Sequence, residues 1–379
     1  MPIDFTKPVP LYKQVVDHIK HQIEDGYLKP GDRIGSHHDL ARDYNVSLIT
    51  VRKALSELIN EKIVYSRMGK GTYVAERRIC ADFAEHINLG LVLRDLNSPF
   101  FSRIVEEIER HASRLGANLL VSTSSNSIEM ENRQIKRYMD IGISGLILTS
   151  ITSRSHVSPL VRKLHTDNFP YVIVAFTEDE DINYVGVDHE YGAYLATEHL
   201  IKTGHERIGY INSENGYHLG EVRKAGYIRA LNTHGILHDE EYHFRLRGRG
   251  NWLDYESGYE IGIQVSGMSA RPDAIFAYND LAALGFQRAV LDRGIKVPDE
   301  IAIIGFDNIK RGVVCPVPLT TIDQCPEEIA AKAINIVMNK INRIDTSNRI
   351  ILKPKLIVRD SCGSKAWKMD RTKLSLIAD

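Results

Sequence analysis

Seven short apolar runs, separated by helical stretches, restrict most of this chain to one kind of architecture. From Ile87 onward they read "INLGLVL", "NLLVSTS", "GLILTS" and "YVIVAF", then "RIGYIN", "AIFAYN" and "IAIIGFD". The runs are rich in Val, Ile and Leu, and they are continuous rather than alternating. A strand with apolar residues on both faces has to be covered on both faces, which is the condition of a parallel sheet flanked by helices. Segments such as "PFFSRIVEEIERHASRLG" and "ENRQIKRYMDIG" supply those helices. The alternation restarts at "RIGYIN", so two sheets in two lobes are expected over 87–362. Clefts between lobes bind small molecules.

The first 76 residues follow other rules. Leu11, Val15, Ile19 and Ile23 line one face of a helix predicted from Leu11 to Asp25, with Gly26 suited to its end. "SHHD" places Ser36 as an N-cap with Asp39 three residues on, close to a capping box. Asn45 then fits a tight turn, because Asn tolerates the left-handed conformation. In "NVSLITVRKALSEL", Val51, Ala54, Leu55, Leu58 and Ile59 form an apolar stripe. Two short helices joined by such a turn make a helix-turn-helix. "IVYSRMGKGTYVAE" after it reads as a hairpin, hence a wing.

The second helix starts with residues off the stripe. Ser47 and Thr50 suit phosphate contacts at a helix N-terminus. Arg52, with Lys53 beside it, suits guanine or a phosphate. Leu48 and Ile49 would be misplaced in water. Leu48 is expected to lie against thymine methyls, and Ile49 to pack under its neighbours. Arg67, Gly69 and Lys70 at the wing tip can approach a phosphate or a narrow minor groove. Residues 1–78 hold 13 Lys and Arg against 10 Asp and Glu, while the whole chain carries −1. That excludes a wholly basic nucleic-acid coat and leaves room for a basic head.

No apolar leader is visible in "MPIDFTKPVPLYKQ" and no run is long enough to span a bilayer, so a cytoplasmic protein without a membrane partner is expected. Cys80, Cys315, Cys325 and Cys362 lack metal-ligand spacing. Neither GxGxxG after a first strand, nor a P-loop, nor GxSxG, nor HExxH occurs. With no nucleophile–base pair either, no enzyme, cofactor or metal is expected. Residues 77–86, "RRICADFAEH", read as a linker, and 363–379 as a tail without an assigned role.

Residues 8–76 resemble the winged-helix domain of GntR-type bacterial repressors, through "LYKQVVDHIKHQIEDGYLKPGDRI", "SHHDLARDYNVS", "TVRKALSELINEKIV" and "GKGTYV". The family usually has Pro-Ser-Glu-Arg where this chain has Gly35, Ser36, His37 and His38, and Arg where it has Leu48. The resemblance makes Ser36, His38 and Leu48 DNA-contact positions, with an operator unlike the common one.

Residues 87–362 resemble the effector domain of LacI-type repressors, itself similar to periplasmic sugar-binding proteins. The matching stretches are "LGLVLRDLNSPFFSRIVEEIE", "GVDHEYGAYLATEHLIKTGHERIGYI", "VRKAGYIRAL", "PDAIFAYNDLAALG", "IAIIGFDN", "PLTTIDQ" and "LIVRDSC". By matched motif, the resemblance assigns Asn97, Ser98, Phe100 and Phe101 in "LNSPFF" to the ligand cleft, the aromatic pair suiting the apolar face of a sugar ring. It likewise assigns Arg223 in "VRKAGY", Asn279 and Asp280 in "AYND", Gln324 in "TTIDQ" and, on looser spacing, Trp252. Arg223 can bridge adjacent hydroxyls, and Asp280 is expected to accept from them.

A GntR-type head on a LacI-type body is the arrangement of the bacterial arabinose repressor subgroup. It implies a repressor that binds a double-stranded DNA operator under control of a monosaccharide, with L-arabinose the first expectation. It also implies a homodimer paired through the helix after "PFF". A periplasmic sugar receptor is the competing reading, and the winged head argues against it.

Overall fold

Two units divide the chain, Met1–Glu85 and His86–Asp379. The computed structural model describes residues 3–4, 9–61, 63–67, 70–75, 86–149, 156–174, 176–213, 218–247, 251–344 and 349–363. The expected linker, apart from His86, and the tail beyond Gly363 lie outside the described residues, as do Gly69 and the Trp252 side chain.

In the first unit, α1 (Leu11–Glu24) buries Val15, Val16 and Ile19. Gly26 follows it at φ +79°, the left-handed position that closes a helix end. α2 (His37–Asp43) starts at a complete capping box. Ser36 Oγ accepts from the Asp39 amide at 3.1 Å, and Asp39 Oδ2 accepts from the Ser36 amide at 3.1 Å. Asn45 takes φ +53° and turns the chain into α3 (Leu48–Asn60). α3 buries Val51, Ala54, Leu55 and Leu58, while Ile59, the last residue of the expected stripe, stays partly exposed. Strands β1 (Arg33–Ile34), β2 (Val64–Arg67) and β3 (Gly71–Val74) form an antiparallel sheet in the order β1-β3-β2. This is a helix-turn-helix with a wing.

The second unit contains the two expected lobes. The first lobe has β4 (Asn88–Leu93), α4 (Pro99–Arg114), β5 (Asn118–Thr123), α5 (Ile128–Asp140), β6 (Gly145–Leu148), α6 (Pro159–Thr166), β7 (Tyr171–Val174) and β8 (Tyr184–Val187). Then follow α7 (His189–Lys202), β9 (Ile208–Asn212), α8 (His218–Thr233), β10 (His243–Arg245), α9 (Asn251–Ser266), β11 (Ala274–Ala277), α10 (Asp280–Asp292), β12 (Ala302–Phe306), α11 (Arg311–Val314) and β13 (Thr320–Asp323) in the other lobe. α12 (Pro326–Ile341), β14 (Arg349–Leu352) and β15 (Lys355–Ile357) complete the unit. One sheet runs β14-β8-β7-β6-β4-β5, parallel throughout; the other runs β10-β9-β11-β12-β13-β15, with only β15 antiparallel.

The chain crosses between lobes three times. After β8 it enters α7, whose Ala193, Ala196 and Leu200 pack with Ile208 and Tyr210 of the second lobe. After β13 it returns as α12, whose Ile329, Ala330 and Ala333 join the first lobe's core. Between β14 and β15 it crosses again. Gly226 on α8 has no room for a Cβ against the Glu190 carbonyl of α7, so these helices pack at backbone contact, one turn from Arg223. Among the described residues no helix is long and apolar enough to cross a membrane.

Candidate ligand cleft and candidate nucleic-acid interface

In both lobes the residues of interest follow the carboxyl ends of parallel strands, where open α/β sheets bind ligands. Arg94 follows β4, Phe176 lies beyond β7 and His189 opens α7 after β8. Asn279 follows β11, Asp307 follows β12 and Gln324 follows β13.

Arg223 on α8 is 2% exposed. Its guanidinium lies over the Phe306 ring at 3.6 Å and near Tyr278 at 4.7 Å. Nη1 donates to the Tyr278 carbonyl, and Nη2 lies 3.3 Å from His189 Nδ1. Burial and the Arg223 charge hold the His189 pKa well below the usual range, so its ring stays neutral and accepts from Arg223. Arg223 Nε is buried with no acceptor among the described residues. Buried donors are rarely left unpaired, so this N–H calls for a partner.

Asp307 is the acid that faces Arg223, with Oδ1 4.0 Å from Nη2. Gln324 Nε2 donates to the same oxygen at 2.6 Å. Burial pushes the Asp307 carboxyl up to about 8, against the opposing pull of Arg223. Asn279 caps α10, its Oδ1 accepting from the Ala282 amide at 2.8 Å, while its Nδ2 donates to Asp254 at 2.8 Å. Burial raises Asp254 to about 6, and the charge of Arg94 pulls it down. Arg94, from the other lobe, is itself held at Nε by Asn126 at 2.7 Å.

Asp280 departs from the expected role. It is fully buried, Oδ1 accepting from the Thr321 hydroxyl at 2.5 Å and Oδ2 from the Ile309 amide at 2.8 Å. Both oxygens are occupied within the lobe, so Asp280 anchors the 307–309 loop, and Asp307 takes the position toward Arg223. Ser98 caps α4, and Asn97 is exposed, its amide bonded to Asp95 at 2.9 Å. Phe100 and Phe101 are half-buried against the first lobe's core, with ring centroids 5.4 Å apart. Phe176, which the sequence analysis did not single out, packs against the second lobe's core and meets His189 edge-on at 5.6 Å. Asp307, Asp254, Arg94 and His189 were missed as well, although "GFDN" and "GVDHEYG" contain two of them.

In the head, Ser36 is the α2 cap, and His38 is exposed. Ser47 caps α3 through the Thr50 amide at 3.2 Å, and the two hydroxyls lie 2.9 Å apart. Leu48 is half-buried, whereas Ile49 is 78% exposed. The expectation that Ile49 packs under its neighbours fails, because the first turn of α3 points it away from the apolar stripe. Arg52 is exposed, and Lys53 lies over the Tyr12 ring at 4.0 Å. On the wing, Tyr65 and Tyr73 stack at 5.7 Å, with Arg67 within 5.6 Å of both rings. Lys70 is exposed at the turn. Among the described residues no group of His, Cys, Asp and Glu could hold a metal ion.

Comparison with known proteins fits this geometry. Residues 11–74 match "Bacterial regulatory proteins, gntR family", and residues 197–362 match "Periplasmic binding protein-like domain". The arabinose metabolism transcriptional repressor of Halalkalibacterium halodurans is 30% identical over 92% of this chain and 96% of its own length. The protein of the same name from Geobacillus stearothermophilus is 29% identical over 94% and 98%. A LacI-family regulator structure from Sanguibacter keddieii superposes with a TM-score of 0.63 at 26% identity, covering 73% of this chain and 98% of that one. The relatives are regulators, not enzymes. The chain belongs to the family of bacterial transcriptional repressors that join a GntR-type winged-helix head to a periplasmic-binding-protein-like effector domain.

Proposed function

We propose that this repressor responds to a neutral monosaccharide bound between its lobes, with L-arabinose the first candidate. The observation that carries the reading is the Arg223–Asp307–Gln324 set. It comprises a buried guanidinium with a free N–H, an acid 4.0 Å away and an amide holding that acid. A vicinal diol offers an acceptor for the Arg223 Nε–H, which has none among the described residues, and a further partner for the Asp307 carboxyl. Phe100, Phe101 and Phe176 are near enough to the strand ends to cover a sugar's apolar face, and Asn279, with Asp254, supplies further polar contacts. The two arabinose metabolism repressors at 29–30% identity support the choice of sugar.

The head binds double-stranded operator DNA, through Ser36, His38, Ser47, Leu48, Ile49, Thr50, Arg52, Lys53, Arg67, Gly69 and Lys70, and the protein works in the cytoplasm, where that operator is. It is a homodimer paired along α4 and the edge strand β5, where Val121 is exposed on the strand and Leu96 in the loop leading into the helix. Sugar binding draws the lobes together and releases the operator, because only one of the two lobe arrangements suits both half-sites. Calorimetry with pentoses, hexoses and sugar acids, paired with operator binding by fluorescence anisotropy, tests it. Heat and operator release with L-arabinose are expected. Silence across the whole panel overturns the sugar reading.

A further inference from the structure

The ligand-facing acid and the helix on the opposite lobe are joined by one side chain. Arg103 lies on α4, one turn past Phe100, with only 19% of its side chain exposed. Nη1 donates to the Asn308 carbonyl at 3.0 Å, and Nη2 donates to Glu327 Oε1 at 2.5 Å. Asn308 belongs to the other lobe and is the residue after Asp307. Glu327 lies in the first turn of α12, immediately after the second crossing between lobes. The guanidinium therefore ties two packed first-lobe helices, α4 and α12, to a loop of the other lobe, which must move relative to them if the lobes change their angle.

The Asp307–Asn308 loop is built to respond as a unit. Asp307 and Asn308 take φ +120° and +54°, an uncommon pair of left-handed conformations for residues with side chains. Such backbone persists only where its surroundings over-determine it, and they do. Asn308 Oδ1 accepts from Arg359 at 2.6 Å, its Nδ2 donates to Asp323 at 3.0 Å, and its amide donates to Thr321 Oγ1 at 3.3 Å. The Ile309 amide is fixed by Asp280. A pull on the Asn308 carbonyl therefore reaches Asp307 without being absorbed by loop bending.

A second interlobe contact uses the same helix. Lys310 Nζ lies 3.7 Å from Glu106, with both side chains more than half exposed. An exposed pair of that kind contributes little, so it serves as a control for Arg103. Arginine suits the Arg103 position because its planar fork reaches two acceptors in different directions, where a lysine ammonium reaches them only as a point charge.

We infer that Arg103 is a positioning residue for the effector response: it couples the seat of Asp307 in the cleft to α4 on the opposite lobe. The inference rests on the sugar reading for its ligand arm but not for its structural arm. The experiment uses the full chain as wild type, Arg103→Met, Arg103→Lys and Glu106→Gln. Hydrogen–deuterium exchange without ligand reads the latch directly. Arg103→Met should raise exchange in peptides covering 99–106 and 306–314, Arg103→Lys should raise it less, and Glu106→Gln should leave it unchanged. With L-arabinose as probe, Arg103→Met should lower affinity several-fold, because ordering the seat of Asp307 then falls to the ligand. The ratio of operator affinities without and with the sugar should also fall, and Arg103→Lys should recover part of both losses. If wild type ignores every sugar, the sugar reading fails while the exchange arm still decides the latch. Exchange in both peptides equal to wild type for folded Arg103→Met overturns the inference, as does equal loss in Arg103→Met and Glu106→Gln.

Discussion

Ile49→Ala is the sharpest test of how the head reads DNA. Ile49 is 78% exposed in the first turn of α3, one residue before Thr50 and three before Arg52. Full burial of an isoleucine side chain is worth about 1.5–3 kcal/mol. With most of that surface still in water, contact with a thymine methyl and the neighbouring sugar would recover about 1–2 kcal/mol. The substitution should weaken specific operator binding by roughly tenfold. Alanine is the better helix former, so lost helix does not explain such a result. The salt dependence separates Ile49 from its charged neighbour. An apolar contact releases no counterion, so Ile49→Ala should leave the slope of log K against log salt unchanged, whereas Arg52→Ala should reduce it by about one. Anisotropy titrations of wild type and both variants at four potassium chloride concentrations measure affinity and slope together. Binding by Ile49→Ala within twofold of wild type at every concentration would refute the reasoning, since it would put Ile49 outside the groove.

Arg223→Met should weaken sugar binding at least thirtyfold, because it removes the buried guanidinium donors, among them the Nε–H that has no acceptor among the described residues, while operator affinity without sugar stays at the wild-type value in anisotropy. The ligand-free protein should lose stability between pH 7 and 8.5. Asp307, raised to about 8, holds a proton in the folded state that the unfolded chain has already released. The loss comes to about 1 kcal/mol across that window, and thermal melts of Asp307→Asn should not show it. Ser36→Ala removes the two bonds that the Ser36 hydroxyl makes with Asp39 and keeps the one from its backbone amide; it should cost the head about 1 kcal/mol, read as a lower melting temperature with unchanged sugar affinity. Asp280→Asn should leave sugar affinity within threefold of wild type, since Asn can still accept from the Ile309 amide and bond Thr321. A larger loss in calorimetry would return Asp280 to the cleft.

The two-lobed fold was legible because buried parallel strands and amphipathic helices have different periods, and seven runs kept the strand pattern. β14 and β15 were not, because "RIIL" and "KLI" are short, partly exposed edge strands with no long apolar run. The three crossings between lobes leave no local mark either; they are set by which sheet each strand joins. In the head, the capping box and the left-handed Asn45 were readable from residue types alone, since the physics there is local. The exposure of Ile49 was also readable, because it lies off the 51, 54, 55, 58 stripe; the preference for burying isoleucine hid it. Asp280 and Asp307 show the limit most clearly. Each is an acid next to an Asn just past an apolar strand, and only the packing of β12 against β13 decides which is sealed beneath the loop and which stands beside Arg223.

That packing also narrows the proposed ligand. Arg223 with Asp280 alone would suit a sugar acid as well as a neutral sugar. With Asp307 beside Arg223 and Asp254 under the influence of Arg94, two carboxyls answer two guanidinium groups. Both carboxyls are already raised by burial, to about 8 and about 6. Asp307 already holds its proton below about pH 8, so a ligand carboxylate would meet chiefly the ionised Asp254, which would have to take up a proton for it to bind. A neutral polyol adds donors and acceptors without charge, and it can satisfy Arg223 Nε and Asp307 together. Under the sugar reading, then, pentoses and hexoses should outrank their uronic and aldonic acids at pH 7.5, and the gap should narrow toward pH 5.5 as Asp254 protonates.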